Sequence, residues 1–155
     1  MISEVYADRP TVWAKGVEKW EAGTPNVSGA VGLAAAVKYL QKLGMASVRK
    51  HEQELTEYGI KQLNRVKGLK LIGPKDAKIR GGILTFVLSK YHAHDVAQVL
   101  DSEGVAIRSG HHCTMPLHQH LNLVSTSRAS IYVYNDKTDI DRLLAALDKV
   151  KQVLG

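Results

Sequence analysis

The sequence is poorest in cysteine and phenylalanine. Among 155 residues there is one of each, Cys113 and Phe86, with 4 prolines and aromatics at only 6%. A single cysteine cannot form an internal disulfide. A disulfide-stapled secreted domain is therefore excluded, and a reducing, cytoplasmic setting is expected. Long hydrophobic runs are also missing. The longest apolar stretch, Gly29–Val37, has nine residues, against the roughly 20 that a membrane helix needs. The opening MISEVYADRP brings in acids early and has no apolar h-region, so no secretory signal is expected. What is present, 45% hydrophobic and 23% charged residues, is the balance of a globular domain. This length suffices to bury a core unaided by metals or disulfides.

The net charge is +6, and it is unevenly spread. Residues 1–80 carry 14 Lys and Arg against 8 Asp and Glu; residues 81–155 carry 7 of each. The excess falls mainly on a helical stretch and the loop after it, from Lys42 through Arg49, Arg65 and Lys70 to Arg80. No aromatics interleave with these charges and no groove-reading motif is present. A solvated basic face is expected, in preference to a nucleic-acid surface.

Periodicity divides the chain. Residues 1–28 show little of it and include Pro10, Gly16, Gly23, Pro25, Trp13 and Trp20. This stretch reads as an arm or linker that packs on a partner or on further chain. Residues 29–155 read as one small domain. A helix is expected over 29–43, capped by Asn26 or Ser28 and stopped by Gly44. Its Val31, Leu33, Ala34, Ala35, Ala36, Val37 and Leu40 cover most of its circumference, a pattern that asks for burial on nearly all sides. Helices follow at 47–66, 93–103 and 138–154, and strands at 69–72, 83–88, 105–108 and 128–134. The order points to an α+β fold: a small mixed or antiparallel sheet with helices packed on one side.

Chemistry concentrates in RSGHHCTMPLH, residues 108–118. The only cysteine sits there beside Arg108, His111 and His112, in a loop after a strand. Cationic neighbours favour a thiolate, which would be a nucleophile toward sulfur or carbon. Two plainer readings stand beside it. A lone cysteine often serves as a small buried hydrophobe. Cys113 with His118 and His120 could also bind zinc, although the spacing matches no closed site and no metal site is assigned. Arg128 opens an otherwise apolar strand and needs a partner, either a small carboxylate held bidentately or an internal acid. The stretch Glu21–Asn26, with Gly23 and Thr24, precedes a helix start. It suits either a phosphate or a simple capped turn.

Taken together, EAGTPN at 21–26, RSGHHC at 108–113 with Pro116–Leu117 following, and RASIYVYN at 128–135 closely resemble the C-terminal part of the SUF-type (group II) cysteine desulfurases, within the class V aminotransferases. The resemblance covers essentially the whole chain. It implies the small C-terminal domain of a fold-type-I pyridoxal-phosphate enzyme that works as a homodimer. Such an enzyme converts L-cysteine to L-alanine and leaves a persulfide for an acceptor or scaffold protein of iron–sulfur assembly; selenocysteine lyase activity is common in the same family. By that resemblance Cys113 is the persulfide-forming nucleophile and Arg128 binds the substrate carboxylate. Arg108 and His112 flank the nucleophile, and Thr24, with Gly23, reaches the cofactor phosphate. No lysine here follows a histidine, as the family's Schiff-base lysine does. The expectation is therefore a chain without the cofactor anchor, separated from a large domain and inactive alone. The alternative is a non-catalytic module that docks a sulfur-acceptor protein.

Overall fold

A computed structural model describes all 155 residues. The chain divides into two compact units, Met1–Gly44 and Met45–Gly155. The compact sheet-bearing unit thus begins at Met45, not at residue 29.

The first unit holds a short antiparallel pair, β1 (Ile2–Glu4) and β2 (Val12–Trp13), with Ile2 opposite Trp13. A 3-10 turn at Gly16–Lys19 follows, and its Glu18 and Lys19 carbonyls accept from the Met1 amino group. Helix α1 (Val27–Leu43) starts two residues earlier than its apolar pattern suggests. The Asn26 side chain accepts from the Gly29 amide at 2.9 Å, which sets the cap ahead of Val27. Gly44, at φ 82°, ends the helix. No residue of Met1–Gly44 is buried.

The second unit is α2 (Met45–Leu63), β3 (Leu69–Ile72), β4 (Ile83–Leu88), α3 (Ala93–Ser102), β5 (Arg108–Gly110), α4 (Met115–His120), β6 (Thr126–Ser130) and α5 (Lys137–Leu154). The sheet order is β3-β4-β6-β5 and every ladder is antiparallel. In β4 the side chains alternate: Leu84, Phe86 and Leu88 are buried. They meet Leu55 and Leu63 of α2, Val96 and Leu100 of α3, and Leu143, Leu147 and Val150 of α5 in one core. Three helices therefore cover one face. Gly59 of α2 permits close approach, since a Cβ there would lie 2.5 Å from Leu84 Cδ1. The intervening β4 residues, Ile83 and Thr85, face the other way.

Several expected boundaries shift. The strand expected at 105–108 forms instead at Arg108–Gly110. The Val105 amide is spent on the Leu100 carbonyl (2.9 Å) in the turn that closes α3. The strand expected to run to Tyr134 stops at Ser130. The Ile131 amide bonds to Gly82 O (2.7 Å) and the Tyr132 amide to Asn135 Oδ1 (2.9 Å), which turns the chain into α5. Helix α2 stops at Leu63, and Arg65 and Val66 make i−3 bonds beyond it. Helix α4, which no periodicity announced, lies against the sheet face that α2, α3 and α5 leave open.

The basic stretch is only partly a solvated face. Arg80 is buried and donates to the carbonyls of Ile83 (2.7 Å), Pro74 (2.8 Å) and Ile72 (2.9 Å). Arg49 donates to those of Ala77, Lys78 and Arg80. These two guanidiniums tie down the loop between β3 and β4, a structural use that composition conceals. Burial lowers the Arg80 pKa from its ordinary value.

Candidate functional site

Because the sheet pleat alternates, β6 sends Ala129 toward the helices and Arg128 toward the open face. There Arg128 stands opposite Thr85 of β4 on one side and Arg108 of β5 on the other. Two like charges directly across a ladder are unfavourable. Neither has an acidic partner: the ion pairs of the chain are Arg49–Glu52, Lys50–Glu54 and Lys151–Asp148. The Arg128 Nε is buried with no hydrogen-bond acceptor. An internal Asp or Glu, one of the two partners open from sequence, is not there. Two guanidiniums so placed suit a planar carboxylate.

Arg128 lines a cleft of about 310 Å³ with Thr85, His112, His118, Thr126 and an apolar wall that includes Ile72, Ile83, Leu117 and Leu121. The reactive segment forms its rim. Strand β5 ends at Gly110, and His112 (φ 52°) and Cys113 (φ 59°) then both take the left-handed backbone conformation. For two successive non-glycine residues this costs energy, so surrounding bonds must hold it. The Thr114 amide and hydroxyl both bond to the His111 carbonyl, at 2.9 and 2.7 Å, closing the turn. His112 Nε2 lies 3.1 Å from Thr126 O and 3.0 Å from Thr126 Oγ1, which moors the turn to the sheet. The tight turn leaves the Cys113 thiol exposed, not packed as a small hydrophobe.

His112 has a pKa below its ordinary value near 6.5. Desolvation is the main cause; the hydrogen bond to the Thr126 carbonyl acts against it, and the charges of Arg128 and Arg108 act with it. The ring is therefore neutral near pH 7, and the fixed positive charge of the site belongs to the arginines.

The structure brings Arg108, His112, Cys113 and Arg128 onto one end of the sheet. Gly23 and Thr24 belong to the other unit, on an exposed turn before α1, with Gly23 at φ 77°. His118, weighed from sequence only as a zinc ligand, instead faces Thr114 and Thr126. No three His, Cys, Asp or Glu side chains converge. No helix is long and apolar enough to cross a membrane. Thr126 was missed altogether. Its signal was its place two residues before Arg128 on the same strand, which puts both on one face.

A small α+β unit with a thiol on a tight turn and an arginine pair without acidic partners on the two strands that flank it defines a class that comparison makes specific. Residues 1–143 match the aminotransferase class-V family, and the chain belongs to that family. Within it, a probable cysteine desulfurase from Staphylococcus aureus is 48% identical over 140 residues, 90% of this chain and 34% of that protein. Among solved structures, the apo cysteine desulfurase of Thermococcus onnurineus superposes with a TM-score of 0.82 at 34% identity, over 97% of this chain and 38% of that one. The cysteine desulfurase CsdA of Escherichia coli, as its S-sulfonic acid, gives 0.81 at 30% identity, over 99% and 37%. The chain thus spans about a third of the length of the curated relatives it matches.

Proposed function

We propose that this chain is the part of a pyridoxal-phosphate-dependent cysteine desulfurase that carries the sulfur-accepting thiol and the carboxylate clamp. The observation that carries the reading is the unpaired Arg108–Arg128 pair beside the turn that exposes Cys113. The relatives' names agree with it.

The residues present match the cofactor only in part. At the start of α1 the amides of Val27, Gly29 and Ala30 are already bonded within the turn. The Thr24 hydroxyl and the Ser28 amide remain for one edge of a phosphate. No lysine lines the cleft; on this reading the cofactor's anchor lies in the part of such an enzyme outside these residues. When bound, the cofactor withdraws electrons from the substrate skeleton and weakens its C–S bond.

The roles of this chain follow from charge and geometry. Arg128, with Arg108, binds the carboxylate of L-cysteine and fixes its orientation. The Cys113 thiolate attacks the substrate sulfur. An S–S bond forms, the substrate C–S bond breaks with its electron pair going to carbon, and protonation there yields L-alanine. Cys113 is left as a persulfide, which an acceptor thiol of an iron–sulfur assembly protein removes. By the family resemblance, selenocysteine is a further candidate substrate. The exposed thiol suits transfer to another protein, and the proposed enzyme is a cytoplasmic homodimer.

The test uses the full-length protein bearing this chain. With L-cysteine it should release alanine, and Cys113 should gain the mass of one sulfur atom. A C113S variant that still accumulates protein-bound sulfur would overturn the reading. The 155-residue chain alone should make no alanine. Cofactor fixed to it by borohydride would show that the anchor lies within this chain after all.

A further inference from the structure

The largely buried hydrogen bonds around Thr126 run in one direction only. Thr114 O and Thr126 O are carbonyls and can only accept. His118 Nδ1 lies 3.1 Å from Thr114 O and 3.3 Å from the Thr114 hydroxyl, whose hydrogen is donated to the His111 carbonyl; Nδ1 therefore carries a hydrogen, and so does His112 Nε2, 3.1 Å from Thr126 O. Thr126 is buried, and its hydroxyl lies 3.0 Å from His112 Nε2 and 3.1 Å from His118 Nε2. It accepts from the first. Its own hydrogen then needs an acceptor, and only a bare His118 Nε2 supplies one. His118, 6% exposed on α4, is thus the neutral end of a chain that starts at His112. The two rings are 6.1 Å apart, and His111 stands edge-on to His118 at 5.4 Å.

We infer that Thr126 and His118 are positioning residues that hold His112 as its Nε2–H tautomer, leaving Nδ1 an unpaired acceptor at the cleft. His112 lines the cleft together with Arg128, and its Nδ1 makes no hydrogen bond within the chain. The cleft then offers a cation for a carboxylate and a bare imidazole nitrogen for an N–H or S–H donor. That pairing matches a small zwitterionic thiol amino acid. It also keeps His112 from competing with Arg128 for the carboxylate, as an imidazolium would. The ligand class rests on the desulfurase reading; the tautomer assignment does not. The charged or titratable groups around His112 are Arg108 of β5, Arg128 of β6, His111 and Cys113 of the turn, and His118 of α4; β4 contributes the uncharged Thr85.

Nitrogen-15 NMR of the histidine rings in the 155-residue chain tests this without mutation. His112 should carry its hydrogen on Nε2 and His118 on Nδ1 through neutral pH. A His112 with its hydrogen on Nδ1 overturns the inference. H118L removes the terminal acceptor and should mix the His112 tautomers and change its titration curve. H118Q, which returns an acceptor near the Nε2 position, should restore both. Unchanged His112 signals in a folded H118L overturn the inference as well. In the full-length enzyme, H118L should lower kcat/KM for L-cysteine roughly threefold to tenfold, the weight of one net hydrogen bond, through KM, and H118Q should recover it. Ring states as stated with no alanine formed would sink the desulfurase reading alone. Alanine formed with the wrong ring states would sink this inference alone.

Discussion

Helices α1 and α5 are nearly equal in length, 17 and 18 residues, and opposite in fate. Helix α5 buries Ile140, Leu143, Ala146, Leu147 and Val150 along one stripe and keeps its charges outside. Helix α1 is the more apolar, yet it buries nothing: Val31 is 66% exposed and Leu33 67%. The lesson is one of pattern over content. A stripe is covered by a single neighbour, whereas a helix apolar all round needs cover on several sides. The small sheet and its three helices satisfy their own stripes, so their core closes without α1. On the proposed reading, α1 packs on surfaces supplied by the rest of such an enzyme.

The sharpest way to break the contrast is to truncate one large apolar side chain on each side of it. L147A empties a fully buried site on α5 and should cost about 2–5 kcal/mol of stability by urea unfolding. V31S should stay within about 0.5 kcal/mol, the range of surface changes. A comparable loss in V31S would mean that α1 is buried in solution. Next in size is the arginine pair. R128M should weaken L-cysteine binding in the full-length protein roughly 10- to 100-fold, the range for a lost charge-assisted hydrogen bond. Its stability should hold or rise, because Arg108 loses a like charge opposite it. A marked loss of stability would show that Arg128 serves the fold. A third test concerns α1 alone. Light scattering should show the chain self-associating as concentration rises, and L33E should reduce this. A sharp monomer peak at high concentration would refute the exposed-patch account.

The smallest expected effect is a pH slope. His112 binds its proton less tightly in the folded state than in the unfolded chain, where its value is near 6.5. Its contribution is therefore fully present above that value and lost as pH falls through the lower folded value. The urea midpoint should decline between pH 7.5 and 5.5, and H112Q should flatten that decline.

Much of the scaffold was legible in the residues. The strands at 69–72 and 83–88 are where their patterns put them, since both are short apolar runs bounded by turns. The helices at 93–102 and 137–154 carry clean stripes with caps at His92 and Asp136. What misled was alternation continuing past the ladder. Ile131 is buried and Tyr132 exposed, as a strand would have them, but their amides are spent on Gly82 and on Asn135. Alternation reports which side is wet, not which backbone groups pair. Within the site, residue types named Cys113, Arg108 and Arg128 as chemically able, but not His118 and Thr126 as a pair.

Local order along the chain settled by itself where the helices cap, which strand faces are apolar, and that the one thiol sits on a histidine-rich turn, because each of these depends on neighbours a few residues apart. That Arg128 lacks an acid, that Arg80 is spent on carbonyls and that one threonine hydroxyl bridges two imidazoles were decided only when the sheet closed. Each depends on groups distant in sequence meeting within 3 Å or so, and pairing order and register alone determine which groups those are.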